Sequence, residues 1–229
     1  MAIFLSSLFG SASIGVYSLA TDKMAIVPPQ APETKTQKIG EWLGVKVVRT
    51  TIGDSVLIGA LACANSYGMI LPHFVRKEEI EAIKSVSPAS NFNIEILETR
   101  KTAFGNLILA NDYGAVVDPR LKENELEVIE DALGVEVVPG EIAGLPYVGS
   151  LAIATNKGVL AHPLLAEEEQ KLLTDVLKVR VDVGTVNCGI PYVATGLVGN
   201  THGAIAGFIT TGPELFIIGQ TLDVVKENE

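Results

Sequence analysis

Hydrophobic and polar positions along this chain fall in a pattern that restarts about every 45 residues. One clear copy spans residues 145–163: an apolar run, a polar turn at Thr155-Asn156-Lys157-Gly158, and a second apolar run stopped by Pro163. An acidic amphipathic stretch follows from Glu167 to Leu177, and then a short alternating strand from Val179 to Val183. Periods of this length mark propellers, solenoids or arrays. The turn recurs as Thr21-Asp22-Lys23-Met24, Asn65-Ser66-Tyr67-Gly68, Asn111-Asp112-Tyr113-Gly114 and Asn200-Thr201-His202-Gly203. Its closing positions, 24, 68, 114, 158 and 203, are 44, 46, 44 and 45 residues apart. Asn or Thr opens every copy as a side-chain cap, and Gly closes four of them, as a positive φ angle at the fourth position would require. Met24 is the exception and predicts a different turn.

Other positions keep this register. Four residues before each closing position stand Ala20, Ala64, Ala110, Ala154 and Gly199; nine before it stand Gly15, Gly59, Gly105, Gly149 and Ala194. Gly inside a strand marks a bulge or the close approach of another backbone, and five strands converging on an axis would demand that approach. Being five apart, the two small positions are expected on opposite faces of one strand. Fifteen residues after the closing position come Ile39, Ile83, Ile129, Leu173 and Ile218, and nineteen after it Leu43, Ser87, Leu133, Leu177 and Leu222. Apart from Ser87, these pairs stack on one face of an amphipathic helix. Each unit reads strand–strand–helix–strand. The fifth stops after its helix, and Ala2-Ile3-Phe4-Leu5 falls where its third strand is missing.

This register predicts an α/β fold: a closed five-bladed α/β propeller, the pentein architecture, with pseudo-fivefold symmetry and ββαβ units. The N-terminal strand closes the ring and leaves no sheet edge free for aggregation. A linear solenoid would want polar capping repeats at both ends. Residues 1–225 are expected to form one cyclic domain, with 226–229 as a short tail.

Composition narrows the possibilities. With 48% hydrophobic residues among 229, the chain has ample material for a core. Its formal net charge is −10, so it lacks the basic footprint of a phosphate-driven nucleic-acid binder. Acidic residues gather on the predicted helices, for example Glu78-Glu79 and Glu167-Glu168-Glu169. A solvated outer face accounts for them; attraction of a basic protein is the functional alternative. No stretch of eighteen apolar residues suggests a membrane span. No Lys or Arg precedes Lys23, so the apolar start lacks the n-region of a signal peptide and a cytoplasmic location is expected. Cys63 and Cys188 are too few for a disulfide framework.

Candidate chemistry is sparse. His73, His162 and His202 each stand without a second ligand at metal spacing, so no metal or cofactor is expected. His73 and His162 lie beside prolines at strand ends, where partly exposed imidazoles are ordinary. Five-bladed α/β propellers include enzymes that modify guanidino groups with a Cys, a His and carboxylates at the axis. Here Cys188 and His202 fall at opposite ends of a strand about ten residues long, roughly 30 Å, beyond the reach of a nucleophile–base pair. Cys63 sits in an apolar strand and reads as a small buried hydrophobe. No catalytic residue is assigned.

The cyclic repeat, together with Val56-Leu57-Ile58-Gly59, Ala64 to Pro72, Phe104-Gly105-Asn106, Asn111 to Gly114, Val148-Gly149-Ser150 and Gly184 to Asn187, resembles the translation initiation factor 6 family in its shorter archaeal form. The resemblance covers essentially the whole chain and implies a non-enzymatic, monomeric ribosome anti-association factor. Such a factor binds the large ribosomal subunit on its intersubunit face, chiefly a basic ribosomal protein beside the sarcin–ricin loop, with peripheral ribosomal RNA contact and no DNA or membrane partner. It blocks small-subunit joining sterically and also implies a role in large-subunit maturation. The alternatives are a guanidino-modifying enzyme of the same fold and a binding module for another basic protein. By matched positions the resemblance implies contacts through Leu57, Ile58, Ala60, Asn65, Asn106 and Leu151. Asn106 stands out because the other units carry Val16, Ala60, Ser150 and Thr195 there, so the fold does not demand Asn; a cap on a neighbouring loop is its structural alternative. For Asn65 the alternative is the turn cap.

Overall fold

A computed structural model describes residues 3–86 and 92–224. The expectations for Ala2, Ser87 and the tail at 226–229 fall outside these residues. The chain begins with β1 (Ile3–Ser6) and then builds four three-stranded sheets in succession. They are β2 (Leu19–Ala20), β3 (Met24–Val27) and β4 (Lys46–Arg49); β5 (Cys63–Ala64), β6 (Gly68–Pro72) and β7 (Asn93–Leu97); β8 (Ile108–Ala110), β9 (Ala115–Val117) and β10 (Val137–Pro139); and β11 (Ala152–Ala154), β12 (Gly158–Ala161) and β13 (Arg180–Val183). In each, the first two strands form an antiparallel hairpin and the third lies parallel to the second. The fifth sheet holds β14 (Leu197–Gly199), β15 (Ala204–Gly207) and, parallel to β15, β1, with Ile3 opposite Ala204. The ring closes as its register predicts.

The parallel step needs a crossover, and five long helices supply it: α2 (Glu33–Leu43), α4 (Lys77–Val86), α6 (Glu123–Leu133), α8 (Glu167–Leu177) and α10 (Gly212–Thr221). Ile39, Ile83, Ile129, Leu173 and Ile218 are all buried on them. Each helix packs its apolar stripe on the sheet of the preceding unit. Thus Leu173 and Leu177 join Val116, and Ile39 and Leu43 join Val198 and Ile205 of the last sheet. Five such clusters lie between neighbouring blades and hold the ring together.

The structure corrects four expectations. A four-residue helix precedes each inner strand where strand was expected: α1 (Ile14–Tyr17), α3 (Ile58–Leu61), α5 (Phe104–Leu107), α7 (Val148–Leu151) and α9 (Val193–Gly196). The four glycines nine before the turn, with Ala194 in the fifth copy, lie in these helices around the axis. A Cβ on Gly59 would fall on the carbonyl oxygen of Gly15, one on Gly105 on that of Gly59, one on Gly149 on that of Gly105, and one on Gly15 on that of Ala194. Because the chain bends between helix and strand, both small positions face the same axial cavity of about 100 Å³. Gly68, Gly114 and Gly158, in turn, do not adopt positive φ. They are glycines because carbonyls of Ala132, Val176 and Thr221, at the end of the next unit's helix, press on them. Met24 closes a turn with the same bonds, Thr21 accepting from its N–H at 3.2 Å, and buries its side chain against Ile58 and Ile83 of the next blade.

The turn-opening residues bind the blades to one another. The Asn200 side chain accepts from the N–H groups of His202 and Gly203 and donates to the carbonyls of Thr21 and Leu43 at 3.0 and 2.9 Å. Asn65 and Asn111 do the same toward the units that follow them. Thr21 and Thr155 cap their own turns but are too short to bridge. A substitution series separates the two roles. Asn200→Thr keeps the cap and loses the bridge, and is expected to cost about 1–2 kcal/mol. Asn200→Ala orphans every partner of the 2%-exposed side chain and is expected to cost about 2–4 kcal/mol. Urea unfolding measures both; equal losses would assign the whole effect to the bridge.

Candidate binding face

Every inner strand runs from its short helix toward its turn, so the propeller has two unlike ends. At one end the five short helices ring the mouth of the axial cavity. Val16, Ala60, Asn106, Ser150 and Thr195 line that mouth together with their neighbouring small residues. The Ser150 and Thr195 hydroxyls donate to the carbonyls of Tyr147 and Tyr192, one helical turn back, at 2.9 and 2.7 Å. The carboxamide of Asn106, by contrast, makes no hydrogen bond among the described residues, so the loop-capping alternative finds no bond to support it. The Asn106 N–H donates to Ala103, closing the turn of α5. Its side chain is therefore held at the mouth by a rigid backbone with its polar atoms free.

The position before each short helix forms a wider ring: Ser13, Leu57, Ala103, Tyr147 and Tyr192. Leu57, Tyr147 and Tyr192 are 40–43% exposed. Both tyrosines are oriented by neighbours. Arg120 stacks its guanidinium over Tyr147, 5.1 Å from the ring centre, and donates from Nε and Nη2 to the fully buried Asp118 carboxylate. Burial alone would raise the Asp118 pKa, but the Arg120 hydrogen bonds and the charges of Arg120 and Lys101 outweigh it and hold the pKa below the usual range. His162, which is buried rather than partly exposed, meets Tyr192 edge-on at 6.4 Å and accepts the Leu164 N–H at Nδ1. These aromatics share the register of Leu57, which could have marked them in the sequence.

The structure divides the positions that the resemblance implied. Leu57, Ala60 and Asn106 come together at this mouth. Ile58 and Leu151 do not: both are 0% exposed, because a four-residue helix turns its first and last side chains inward, and neither can touch a partner. Asn65 lies at the opposite end, 3% exposed and fully bonded within its turn and to the next blade. Around that opposite mouth, Asn156 donates to both Asp22 and Asp112, while these carboxylates accept from Thr201 and Ser66.

Tight turns flank the short helices and are clamped by a glutamate eleven residues after the closing position. Glu79 accepts from the N–H of Gly53 and Asp54, Glu169 from Ala143 and Gly144, and Glu214 from Cys188 and Gly189. In the sequence Glu79 and Glu169 belong to acid runs that read as a solvated outer face. Burial raises the Glu214 pKa, yet the N–H groups of Thr211 and Gly189 and the hydroxyls of Thr185 and Thr211 bring it from 4.5 down to about 2. Its stabilising effect is therefore complete above the ordinary carboxylate range and is lost as pH falls from there toward 2. Glu214→Gln should lower stability at pH 7 by up to about 3 kcal/mol and flatten the loss of stability between pH 5 and 2, read from thermal unfolding across pH.

Among the described residues no three His, Cys, Asp or Glu side chains converge as metal ligands, and no helix is long and apolar enough to cross a membrane. Cys188 belongs to a turn at the mouth end and His202 to a turn tip at the other, so they form no catalytic pair. Burial pushes the Cys63 thiol up to about 12, which leaves it without thiolate at neutral pH. Maleimide should accordingly label the exposed Cys188 in the native protein and Cys63 only after unfolding. Rapid native labelling of Cys63, followed by mass spectrometry, would reopen the enzymatic alternative.

The family profile and the sequence relatives agree on one family. The eIF-6 family profile matches residues 3–221. Translation initiation factor 6 of Methanocaldococcus jannaschii is 42% identical over 94% of this chain and 96% of its own length. That of Pyrococcus furiosus is 47% identical over 93% and 94%, and that of Methanopyrus kandleri 49% over 86% and 87%. Among solved structures, a dimethylarginine dimethylaminohydrolase adduct with S-methyl-L-thiocitrulline is similar at a TM-score of 0.48 and 11% identity, over 75% of this chain and 68% of that one. With a profile match from the first strand to the last helix and near-full-length relatives above 40% identity, the chain belongs to the eIF-6 family.

Proposed function

We propose that this protein is a translation factor that binds the large ribosomal subunit through the mouth carrying Asn106 and prevents the small subunit from joining. The observation that carries the proposal is the unbonded carboxamide of Asn106 at the centre of a rigid ring, flanked by exposed Leu57, Tyr147 and Tyr192. Oriented aromatics around a polar centre are the usual anchors of a protein interface. The partner is a basic ribosomal protein beside the sarcin–ricin loop, with ribosomal RNA at the periphery. A net charge of −10 favours the first over extensive contact with the second. The mechanism is steric: a rigid disc seated on the intersubunit face occupies space that the small subunit needs. It requires no catalysis, cofactor or second copy, and it operates in the cytoplasm, where subunits meet.

The test combines co-sedimentation with separated subunits and a joining assay. The protein should pellet with large subunits alone and reduce the yield of joined ribosomes. Asn106→Arg should leave the melting temperature within about 1 °C, as expected for a surface change, while weakening large-subunit binding about tenfold. Absence of binding to either subunit at micromolar concentration would overturn the proposal. Parallel loss of stability and binding would remove Asn106 from the contact surface.

A further inference from the structure

Charge is distributed unevenly around the ring. The chain has 17 Lys and Arg and 27 Asp and Glu, yet from Val183 to Leu222 the only one is Glu214. That carboxylate is buried, clamping the 188–189 turn. The fifth blade therefore shows solvent no carboxylate or amine over this span. Its outer helix departs from the other four at one register position, where they carry Gln37, Glu81, Glu127 and Lys171 and α10 carries Phe216. Phe216 is 68% exposed, and the adjoining Ile217 37%. The fold accepts charge at this position in three other blades, so the phenylalanine is not there to hold the helix.

Contacts tie the exposed apolar residues of this blade to the segment that leads into the mouth ring. Glu214, in the first turn of α10, receives the N–H groups of the turn that carries exposed Ile190, and Tyr192 of the mouth ring follows two residues later. Phe208 and Ile209, about half exposed, lead into α10 from the same end. On the other side Ile217 closes over Gly184. Without a cation, this strip offers nothing to phosphate. Large exposed apolar patches on a soluble protein mark contact surfaces, and the Glu214 clamp and the Ile217 contact tie this one to the segment that leads into Tyr192 of the mouth ring.

We propose that the strip centred on Phe216 and Ile217 is a second docking surface, occupied by an apolar protein segment of the large subunit that extends from the mouth over the rim of the fifth blade. This rests on the large-subunit reading above and adds to it a partner surface outside the ring of short helices. Contact there is apolar, so a charge of either sign disrupts it.

The test uses the full-length protein, Phe216→Glu, Phe216→Lys and Asn106→Arg, each checked for unchanged thermal unfolding. Sedimentation velocity of the free proteins is followed by titration against purified large subunits. The expected result is a monomeric wild type and a roughly tenfold loss of large-subunit affinity for both Phe216 variants. Wild-type affinity in both variants overturns the proposal. So does weakening by Glu with strengthening by Lys, which would indicate RNA. A wild-type dimer that Phe216→Lys dissociates overturns it as well, since a second copy would then cover the strip. Loss of affinity in Asn106→Arg alone removes the strip while keeping the mouth. A wild type that binds no large subunit removes both.

Discussion

The structure depends on backbone meeting backbone at the axis. Four of the five short helices place a glycine against a carbonyl of a neighbour, from Gly15 on Ala194 through Gly149 on Gly105; the fifth carries Ala194 there. No side chain fits between, so the five helices approach more closely than packed side chains would allow. The turn end is fastened differently: a buried Asn amide crosses from one blade to the next in three of the five junctions. Apolar clusters fill the space between blades and supply most of the stabilisation, but they would tolerate sliding. The glycine contacts and amide bridges fix the rotation of each blade, because neither survives a shift of about an ångström.

That rotational lock makes the mouth a presenting surface. Once the helices are fixed, the residue after each glycine and the residue before each helix are fixed too. Their side chains can then vary without consequence for the ring. At the mouth the chain uses valine, alanine, asparagine, serine and threonine in equivalent places, and the two hydroxyls turn back on their own helices. Asn106 is the one left with bonding capacity. The wider ring shows the same freedom, with Tyr147 held by Arg120 and Tyr192 by His162. A partner meeting this end finds aromatic faces already oriented, so little ordering entropy is lost on docking.

The architecture was legible in the sequence because turn chemistry and helix stripes repeat at fixed offsets, and because Ile3 to Leu5 fell where a strand was lacking. What misled was the identity of small residues. Glycine at the turn closure suggests positive φ, whereas Gly68 and Gly158 answer to carbonyls more than 60 residues away in sequence. The glycine of the mouth suggested a strand, because four-residue helices are too short for any periodicity to show. The same brevity hid the burial of Ile58 and Leu151: within one helical turn, residues next to one another in sequence face core and mouth, and a matched motif does not say which. Asn65 failed for another reason, since a residue that caps a turn and bridges two blades has no polar atom left for a partner.

Charge gives the last step. Four blades cover their outer helices with acids and amines, the solvated face expected of a soluble ring. Had acidity served only solubility, the fifth blade would share it, since its helix occupies an equivalent position in a near-symmetric structure. Instead that blade exposes no carboxylate or amine over forty residues, its one carboxylate, Glu214, being buried, and it exposes Phe216, Ile217, Phe208 and Ile209. Symmetry of the backbone thus isolates the asymmetry of the surface. Asn106 breaks the pattern at the mouth and Phe216 breaks it at the rim. The Glu214 clamp ties the first turn of α10 to the 188–189 turn that precedes Tyr192, and so links the two departures.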